Sequence, residues 1–244
     1  MRSFALPWAF GLLLCAACAG AAAACAPDAL GTARVLTLKR EYAAYGTVQH
    51  AALPLEKGEV VLTFDDGPNP ETLDGVLQSL AEQCVKATFF MTGANLAKHP
   101  ELGRRVAQAG HTPALHSFAH PFLQSMPADQ QLADLEQGMQ SFAGVFGYGT
   151  PAYRFPFLAE TPAIMAELKE RKVTVASVDV GIDDYHPNDM SSAAMTGRLL
   201  ERLRQTGGGI VLMHDANVPT ALALPALLKV LRDNGFKVVH LRWE

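Results

Sequence analysis

Short apolar segments alternate with longer amphipathic ones from Glu59 to the end of the chain. The apolar segments are rich in β-branched and aromatic residues, as strands are, and the amphipathic ones repeat apolar positions at helical spacing. Strands are predicted at 60–64, 87–91, 112–115, 152–155, 173–178, 210–213 and 237–240, and helices at 71–82, 97–108, 128–143, 162–170, 191–205 and 223–234. This alternation predicts an α/β fold with a mostly parallel sheet, either doubly wound or closed into a compact or incomplete barrel of about seven strands.

The start of the chain has a different pattern. Arg2 precedes an apolar stretch, and a run of small residues, mostly alanine, follows it up to residue 26. This is the layout of a secretory signal peptide, so residues 1–26 predict export to the periplasm or the extracellular space. Pro7 and Gly11 interrupt the stretch and its second half is weakly apolar. We therefore expect no stable membrane insertion of the mature protein.

The cysteines bear on the same question. Cys15, Cys18 and Cys25 lie in the predicted signal peptide, which leaves Cys84 alone in the mature chain. We therefore expect no internal disulfide and a buried, inert thiol at Cys84. Lipid attachment through a leader cysteine is the less favoured alternative, because none of the three has a convincing lipid-attachment context.

The rest of the chain divides at about residue 55. Residues 27–55 have mixed polarity without strong periodicity, and we interpret them as an N-terminal extension ahead of a catalytic domain at 56–244. The 20 Lys and Arg residues against 24 Asp and Glu residues give a net charge of -4. This balance argues against nucleic acid or an anionic membrane as a partner held by charge.

Polar side chains follow the predicted strands where the strands end. In parallel α/β folds the loops at the carboxyl ends of the strands converge on one mouth, so we expect these side chains to form a site. They follow five different strands: Asp65, Asp66, His116, His120, Arg154, Asp179, His214 and Asp215. No basic cluster or glycine-rich loop accompanies them, which argues against a phosphatase.

Two of these groups have the chemistry of a metal centre. The adjacent carboxylates of Asp65 and Asp66 repel each other unless a cation neutralises one of them, which leaves the other free as a base. An aspartate turn ahead of the next helix is the structural alternative. His116 and His120 are four residues apart, so one helical turn would place both imidazoles on the same side. With one carboxylate they form a ligand set suited to Zn²⁺, with Co²⁺, Ni²⁺ or Mn²⁺ as alternatives.

The motifs from Glu59 onward resemble those of the polysaccharide deacetylases, the NodB-homology domains of carbohydrate esterase family 4. The resemblance covers nearly the whole mature chain and rests on TFDDGP at 63–68, KATFF at 86–90 with Gly93, GH at 110–111 leading to HSFAH at 116–120, RFPF at 154–157 and LMHD at 212–215. It implies a distorted, partly open (β/α) barrel. It also implies that Asp66, His116 and His120 bind the metal and that Asp65 is the catalytic base.

The resemblance implies a catalytic acid as well. His214 would protonate the leaving amine or alkoxide, and Asp179 would support it as an imidazolium. Segment 177–185 matches the corresponding family motif only loosely. Asp183 and Asp184 therefore stay open as alternatives to Asp179.

Four further roles follow from the same resemblance. Arg154 would orient Asp65, and the backbone N–H of Phe157, which stands where the family usually has tyrosine, would bind the oxyanion. Leu212 would line the pocket for the acetyl methyl group, and Tyr185 would pack against a sugar ring. A plain packing role explains Leu212 and Tyr185 equally well.

The function implied is an exported, metal-dependent carbohydrate deacetylase that acts on N-acetyl groups of a polymer or oligomer containing N-acetylglucosamine. An O-acetyl esterase acting on xylan or an exopolysaccharide is the alternative within the same chemistry. A non-catalytic carbohydrate-binding domain would have lost the base, a ligand or the acid, and all of these residue types are present. No protein partner is implied.

Overall fold

The computed structural model describes residue 1 and residues 25–186 and 189–244. Residues 2–24, nearly all of the predicted signal peptide, lie outside the described residues. Among the residues described, no helix combines the length and the apolar character needed to cross a membrane.

Within the described residues, ten strands form one sheet, and their pairings are parallel. In chain order they are β1 (Thr32–Leu38), β2 (Ala44–Tyr45), β3 (Glu59–Asp65), β4 (Thr88–Met91), β5 (Thr112–Leu115), β6 (Ala152–Tyr153), β7 (Thr174–Ala176), β8 (Val180–Gly181), β9 (Gly209–His214) and β10 (Lys237–Trp243). The order across the sheet is β1-β10-β3-β4-β5-β6-β7-β2, with β9 beside β3 and β8 beside β9. The predicted α/β class with a parallel sheet is confirmed.

The sheet curls into a barrel that does not close. β3 pairs with β10, β9 and β4 and so lies at the centre of the sheet. β7 pairs with β6 and β2, whereas β8 pairs with β9. Within the residues described, β7 and β8 do not pair with each other. The barrel is therefore open between these two strands, which agrees with the predicted partly open architecture.

The part of the chain that the structure describes also contains seven α-helices: α1 (Leu73–Glu82), α2 (Gly93–Lys98), α3 (Pro100–Gln108), α4 (Ala128–Phe146), α5 (Pro162–Glu170), α6 (Ser192–Thr206) and α7 (Val218–Asp233). The helix predicted at 97–108 is in fact divided between α2 and α3, because Pro100 begins a new helix there. Proline has no N–H to donate and suits a first helical position, so α2 ends before it.

Residues 27–55 are part of the domain, which corrects the interpretation of this segment as an extension ahead of it. β1 pairs along its length with β10, and β2 pairs with β7. The side chains of β1 alternate between half-buried and exposed, because this strand lies at the edge of the sheet. Such a strand contributes few apolar residues, so its sequence pattern is weak.

Cys84 is bonded to Cys25, which contradicts the expectation of a free thiol and no internal disulfide. The two Cα atoms are 5.9 Å apart, and the bond ties the start of the described chain to the turn after α1. Retaining this bond requires Cys25 to stay in the mature protein. A signal peptide that ends at residue 26 would remove Cys25 and this bond, whereas a cut before Cys25 would keep both.

The two faces of β3 explain how this strand directs one side chain into the barrel. Alternate residues pack beneath the helices in the large core: Val60, Leu62 and Phe64. Val61 faces the other way, into a cluster with Ile210 and Val239. Because side chains alternate along a strand, Asp65 points to the same inward face as Val61. Asp65 is also the last residue of β3, so it lies at the carboxyl end of the strand.

Candidate active site

Asp65 and Asp66 reach the same mouth because the strand ends between them. Asp65 is the last residue of β3 and faces inward, whereas Asp66 has φ 76° and leaves the strand direction. Neighbours in a regular strand point to opposite sides, so this left-handed residue is what brings both carboxylates together. Gly67 follows, and a Cβ there would lie 2.1 Å from Oδ2 of Asp215. A larger residue at position 67 would therefore displace the carboxylate of Asp215.

Asp66, His116 and His120 form a candidate metal centre. Their ligand atoms lie within 4.8 Å of one another. Oδ1 of Asp66 is 3.5 Å from Nε2 of His116 and 3.3 Å from Nε2 of His120. This buried oxygen has no hydrogen-bond partner among the described residues. An orphaned carboxylate oxygen between two imidazole nitrogens matches the needs of a divalent cation.

The protonation of His116 suits a metal ligand. Its Nδ1 lies 2.8 Å from the backbone oxygen of Arg154, so Nδ1 carries the proton and the lone pair of Nε2 faces Asp66. Burial lowers the pKa of His116 to about 3, which keeps the ring neutral at physiological pH. Metal-bound histidines commonly donate their second nitrogen to a carbonyl in this way. Residues and spacing therefore fit the metal that the sequence predicts.

The two histidines converge without the helical turn expected from their spacing. Residues 116–120 form an irregular loop in which Ser117 has φ 60° and His120 has φ 56°. The ring centroids of His116 and His120 are 4.9 Å apart. The carboxylate of Asp134, on α4, accepts the backbone N–H groups of Phe118 and Ala119 at 2.9 and 3.0 Å. These hydrogen bonds from the loop to Asp134, and not a helical turn, hold the two histidines side by side.

Asp65 is held by a fully buried arginine. One nitrogen of Arg154 donates to Oδ1 of Asp65 at 2.7 Å and to the Thr63 hydroxyl at 2.8 Å. Its other nitrogens donate to the backbone oxygens of Ala176, the last residue of β7, and of Ser177, which follows it. Burial raises the pKa of Asp65, and the charge of Arg154 opposes that rise. The guanidinium thereby keeps a buried carboxylate oriented beside the candidate metal centre.

His214 is paired with Asp184, not with Asp179 as expected. Nδ1 of His214 lies 2.8 Å from Oδ1 of Asp184, and Oδ2 accepts the backbone N–H of His214 at 2.7 Å. Asp179 instead accepts the N–H groups of Thr47 and Ile210, at the amino end of β8. The predicted strand 173–178 is followed by a second short strand, so Asp179 precedes β8 and Asp184 follows it.

Asp183 is occupied elsewhere. Its carboxylate forms a two-pronged ion pair with Arg202 on α6, at 2.6 and 2.8 Å. Asp184 is fully buried and also accepts the Thr220 hydroxyl at 2.7 Å. Of the three aspartates that the sequence left as alternatives, only Asp184 lies against the imidazole.

The electrostatics of His214 favour its charged form. Burial alone would lower the pKa of His214, but the hydrogen bond and charge of Asp184 outweigh it and raise the pKa to about 9. The charges of Asp65 and Asp66 add to the rise. His214 is therefore protonated at neutral pH and can donate a proton toward the mouth.

A cavity of about 460 Å³ joins these groups. Its lining includes the proposed base, the metal triad and the imidazole of His214. The complete lining is Asp65, Asp66, His116, His120, Phe155, Phe157, Leu158, Tyr185, Met190, Leu212, His214 and Asn217. Phe157 and Tyr185 are 62% and 61% exposed, so their rings stand at the rim. Leu212 lies in the wall on β9. The residues predicted to face substrate thus border one cavity.

The sequence predicts no role for two residues of the site. Asp134 lies on the buried face of α4 with Leu135 and Phe142, and an acidic residue on an apolar helix face is the signal that identifies it. Asp215, predicted only as a polar residue at the mouth, has two carboxylate oxygens without a hydrogen-bond partner among the described residues. Burial raises its pKa to about 8, and the charge of Asp66 contributes.

Comparisons with known proteins agree with the fold and with the candidate metal centre. The sequence profile described as Polysaccharide deacetylase matches residues 52–176. The chain is 30% identical over 200 residues to a chitooligosaccharide deacetylase of Rhizobium leguminosarum bv. trifolii, covering 73% of this chain and 88% of the relative. The chain belongs to the polysaccharide deacetylase family.

Two further comparisons concern longer proteins. The chain is 28% identical over 200 residues to the peptidoglycan-N-acetylmuramic acid deacetylase PdaC of Bacillus subtilis, covering 78% of this chain and 41% of PdaC. The solved structure of the Bdellovibrio bacteriovorus peptidoglycan deacetylase Bd3279 superposes with a TM-score of 0.74 at 30% identity, covering 86% of this chain and 59% of that one. The chain thus spans less than half the length of PdaC.

Proposed function

We propose that this chain is an exported, metal-dependent hydrolase that removes N-acetyl groups from a polysaccharide containing N-acetylglucosamine. The observation that carries the proposal is one cavity where the Asp66, His116 and His120 triad lies between a buried base and a charged imidazole. The relatives support the choice of an amide substrate, since they are named for deacetylating peptidoglycan and chitooligosaccharide.

Asp66, His116 and His120 would hold the metal ion. Two imidazoles and one carboxylate favour Zn²⁺, and Co²⁺, Ni²⁺ or Mn²⁺ accept the same ligands. A divalent ion bound there supplies Lewis-acid polarisation of the acetyl carbonyl and of the attacking water.

Asp65 is the base in this proposal. It takes a proton from the water whose oxygen attacks the acetyl carbonyl carbon. Arg154 holds Oδ1 at 2.7 Å, so Oδ2, which faces the triad 3.8 Å from Nε2 of His116, is the oxygen left to accept the proton. Fixing the carboxylate in one orientation contributes to the rate, because little reorganisation is then needed at the moment of reaction.

The Phe157 N–H stabilises the charge that develops on the carbonyl oxygen. None of the hydrogen bonds within the described residues uses this N–H, and Phe157 lines the cavity. A backbone donor aimed at a developing oxyanion is among the larger single contributions to catalysis of acyl transfer. Leu212 borders the same space and offers an apolar wall to the acetyl methyl group.

His214 completes the reaction as the acid. When the carbon–nitrogen bond breaks, the departing nitrogen takes a proton from His214, and the products are acetate and a free amine. Asp184 keeps the imidazole charged before this transfer and fixes which nitrogen faces the cavity. Tyr185, whose ring lies 5.6 Å from that of His214, offers a face to the sugar that carries the leaving nitrogen.

Two features support export. The start of the chain, with Arg2 ahead of an apolar stretch and a run of small residues, has the pattern of a signal peptide. The Cys25 to Cys84 disulfide is the second, because such bonds persist in oxidising compartments such as the periplasm or the extracellular space.

The proposal is tested by acetate release. Purified protein is incubated with N-acetylglucosamine oligomers and, separately, with acetylated xylan, with chelator and with Zn²⁺ or Co²⁺ added back. The proposal expects chelator-sensitive release from the N-acetyl oligomers. Release from xylan alone would instead assign an O-acetyl esterase, and release from neither would refute both.

A further inference from the structure

The loop that carries Phe157 has an unfavourable backbone conformation. Phe157 has φ 57° and Leu158 has φ 56°, both in the left-handed region. Bulky side chains avoid this region, and such conformations persist only where surrounding contacts hold them. Two successive residues of this kind, one of them carrying the proposed oxyanion donor, therefore require an external restraint.

The restraint comes from residues 46–51. Nε2 of Gln49 donates to the backbone oxygen of Leu158 at 2.8 Å, and its Oε1 accepts the Ser177 hydroxyl at 2.7 Å. The next residue, His50, places Nε2 2.6 Å from a carboxylate oxygen of Glu160. Two adjacent side chains thus contact the loop at its second left-handed residue and at its exit.

Segment 46–51 is itself well anchored. The backbone N–H of Gly46 donates to the oxygen of Ala51 at 2.9 Å, and that of Val48 donates to the oxygen of Val178 at 3.1 Å. A Cβ on Gly46 would lie 2.5 Å from the carbonyl carbon of Ser177, so the segment approaches the end of β7 as closely as glycine allows. A turn fixed in this way can transmit a restraint to the loop.

We propose that Gln49 is a positioning residue, which holds the Leu158 carbonyl so that the Phe157 N–H faces the cavity. This inference rests on the proposed function. Gln49 lies before residue 52, where the family profile begins to match, so it belongs to none of the motifs on which the family resemblance rests. The segment first interpreted as an extension would thus support the oxyanion site.

The first test separates kcat from KM. Gln49→Ala removes the donor, and Gln49→Glu keeps the length of the side chain while replacing the amide donor by a carboxylate. We expect both to lower kcat about tenfold or more, since losing an oxyanion donor outright costs 10²–10³, with KM within about twofold. The pH profile should not move, because Asp65 and His214 keep their contacts. Gln78→Ala is the matched control, because the Gln78 side chain lies on α1 and donates to Glu82 at 2.8 Å.

The second test does not depend on activity. The N–H groups of Leu158 and Ala159 donate to the oxygens of Phe155 and Pro156, so their hydrogen exchange reports on the loop. Losing one restraining hydrogen bond should speed this exchange about fivefold in Gln49→Ala and leave it unchanged in Gln78→Ala.

These outcomes test the positioning role of Gln49 separately from the proposed deacetylase function. Unchanged exchange in Gln49→Ala, or a raised KM with unchanged kcat, overturns the positioning role. Faster exchange in a protein whose unsubstituted form releases no acetate supports the restraint on the loop and refutes the proposed function.

Discussion

The carboxylate of Asp184 holds His214 through two atoms at once, with Oδ1 2.8 Å from Nδ1 of the ring and Oδ2 2.7 Å from the backbone nitrogen. The side chain and main chain of the proposed acid are therefore fixed by one buried group. This contact sets both the direction of the imidazole and its charge, because Asp184 is the main cause of the raised pKa.

Replacing Asp184 should move the pH dependence of the reaction. The pKa of His214, about 9 in the folded protein, should fall by about 1–3 units in Asp184→Asn because the opposite charge is lost. An acid must be protonated to act, so the alkaline limb of the kcat profile should shift to lower pH. Asp183→Asn, which removes the neighbouring pair with Arg202, is the control and should leave the limb in place.

The same pair links stability to pH. The folded pKa of His214 lies above the unfolded value near 6.5, so its contribution to stability is complete below pH 6.5 and is lost as pH rises through about 9. Urea unfolding measured between pH 6.5 and 9 should show that the free energy of unfolding falls less with rising pH in Asp184→Asn than in the native protein. An equal decline in both would contradict the pairing.

Asp65→Asn should strongly reduce turnover without emptying the metal site. Removing a general base costs about 10²–10⁴ in rate, whereas Asp65 is not among the three proposed ligands. Kinetics and metal content by mass spectrometry measure the two effects on one sample. Loss of bound metal in Asp65→Asn would instead make this residue a ligand, and His120→Ala supplies the comparison in which metal loss is expected.

Breaking the buried pair at Arg154 should destabilise the protein. Arg154→Met leaves the carboxylate of Asp65 buried without its partner, which costs about 3–5 kcal/mol of unfolding free energy. The double variant Arg154→Met with Asp65→Leu should recover part of that loss, because no uncompensated charge remains. Denaturant midpoints test both statements, and a single variant as stable as the native protein would refute the first.

The disulfide should contribute to stability on a similar scale. Cys25 and Cys84 are 59 residues apart in sequence, and closing a loop of this order typically stabilises a fold by about 2–4 kcal/mol. Cys25→Ser and Cys84→Ser should lower the unfolding free energy equally, since either change removes the bond. Cys15→Ser, within the predicted signal peptide, should have no effect. Unequal losses would show that the bond is not the cause.

Much of the fold and of the site can be predicted from the sequence. The seven predicted strands appear as β3 to β7, β9 and β10, because buried parallel strands produce strong apolar runs. The motif residues Asp65, Asp66, His116, His120, Arg154 and His214 all come to one mouth, since each lies at or just after the carboxyl end of a parallel strand.

The remaining features had no pattern to predict them. β8 is two residues long and contains Gly181, so no periodicity could indicate which aspartate lies at its carboxyl end. β1 is an edge strand with one exposed face. Cys25 stands at the end of an alanine-rich run typical of a cleaved leader. In each case tertiary contacts, not local preference, determine the outcome.

In the proposed function, the triad of Asp66, His116 and His120 binds one ion on which acetate release depends. The most direct measurement titrates Zn²⁺ into chelator-treated protein while bound zinc and acetate release from N-acetylglucosamine oligomers are followed together. Both should rise in parallel and saturate at one equivalent, and His120→Ala should show neither. Acetate release by metal-free protein, or full zinc binding without any release, would contradict the proposed function.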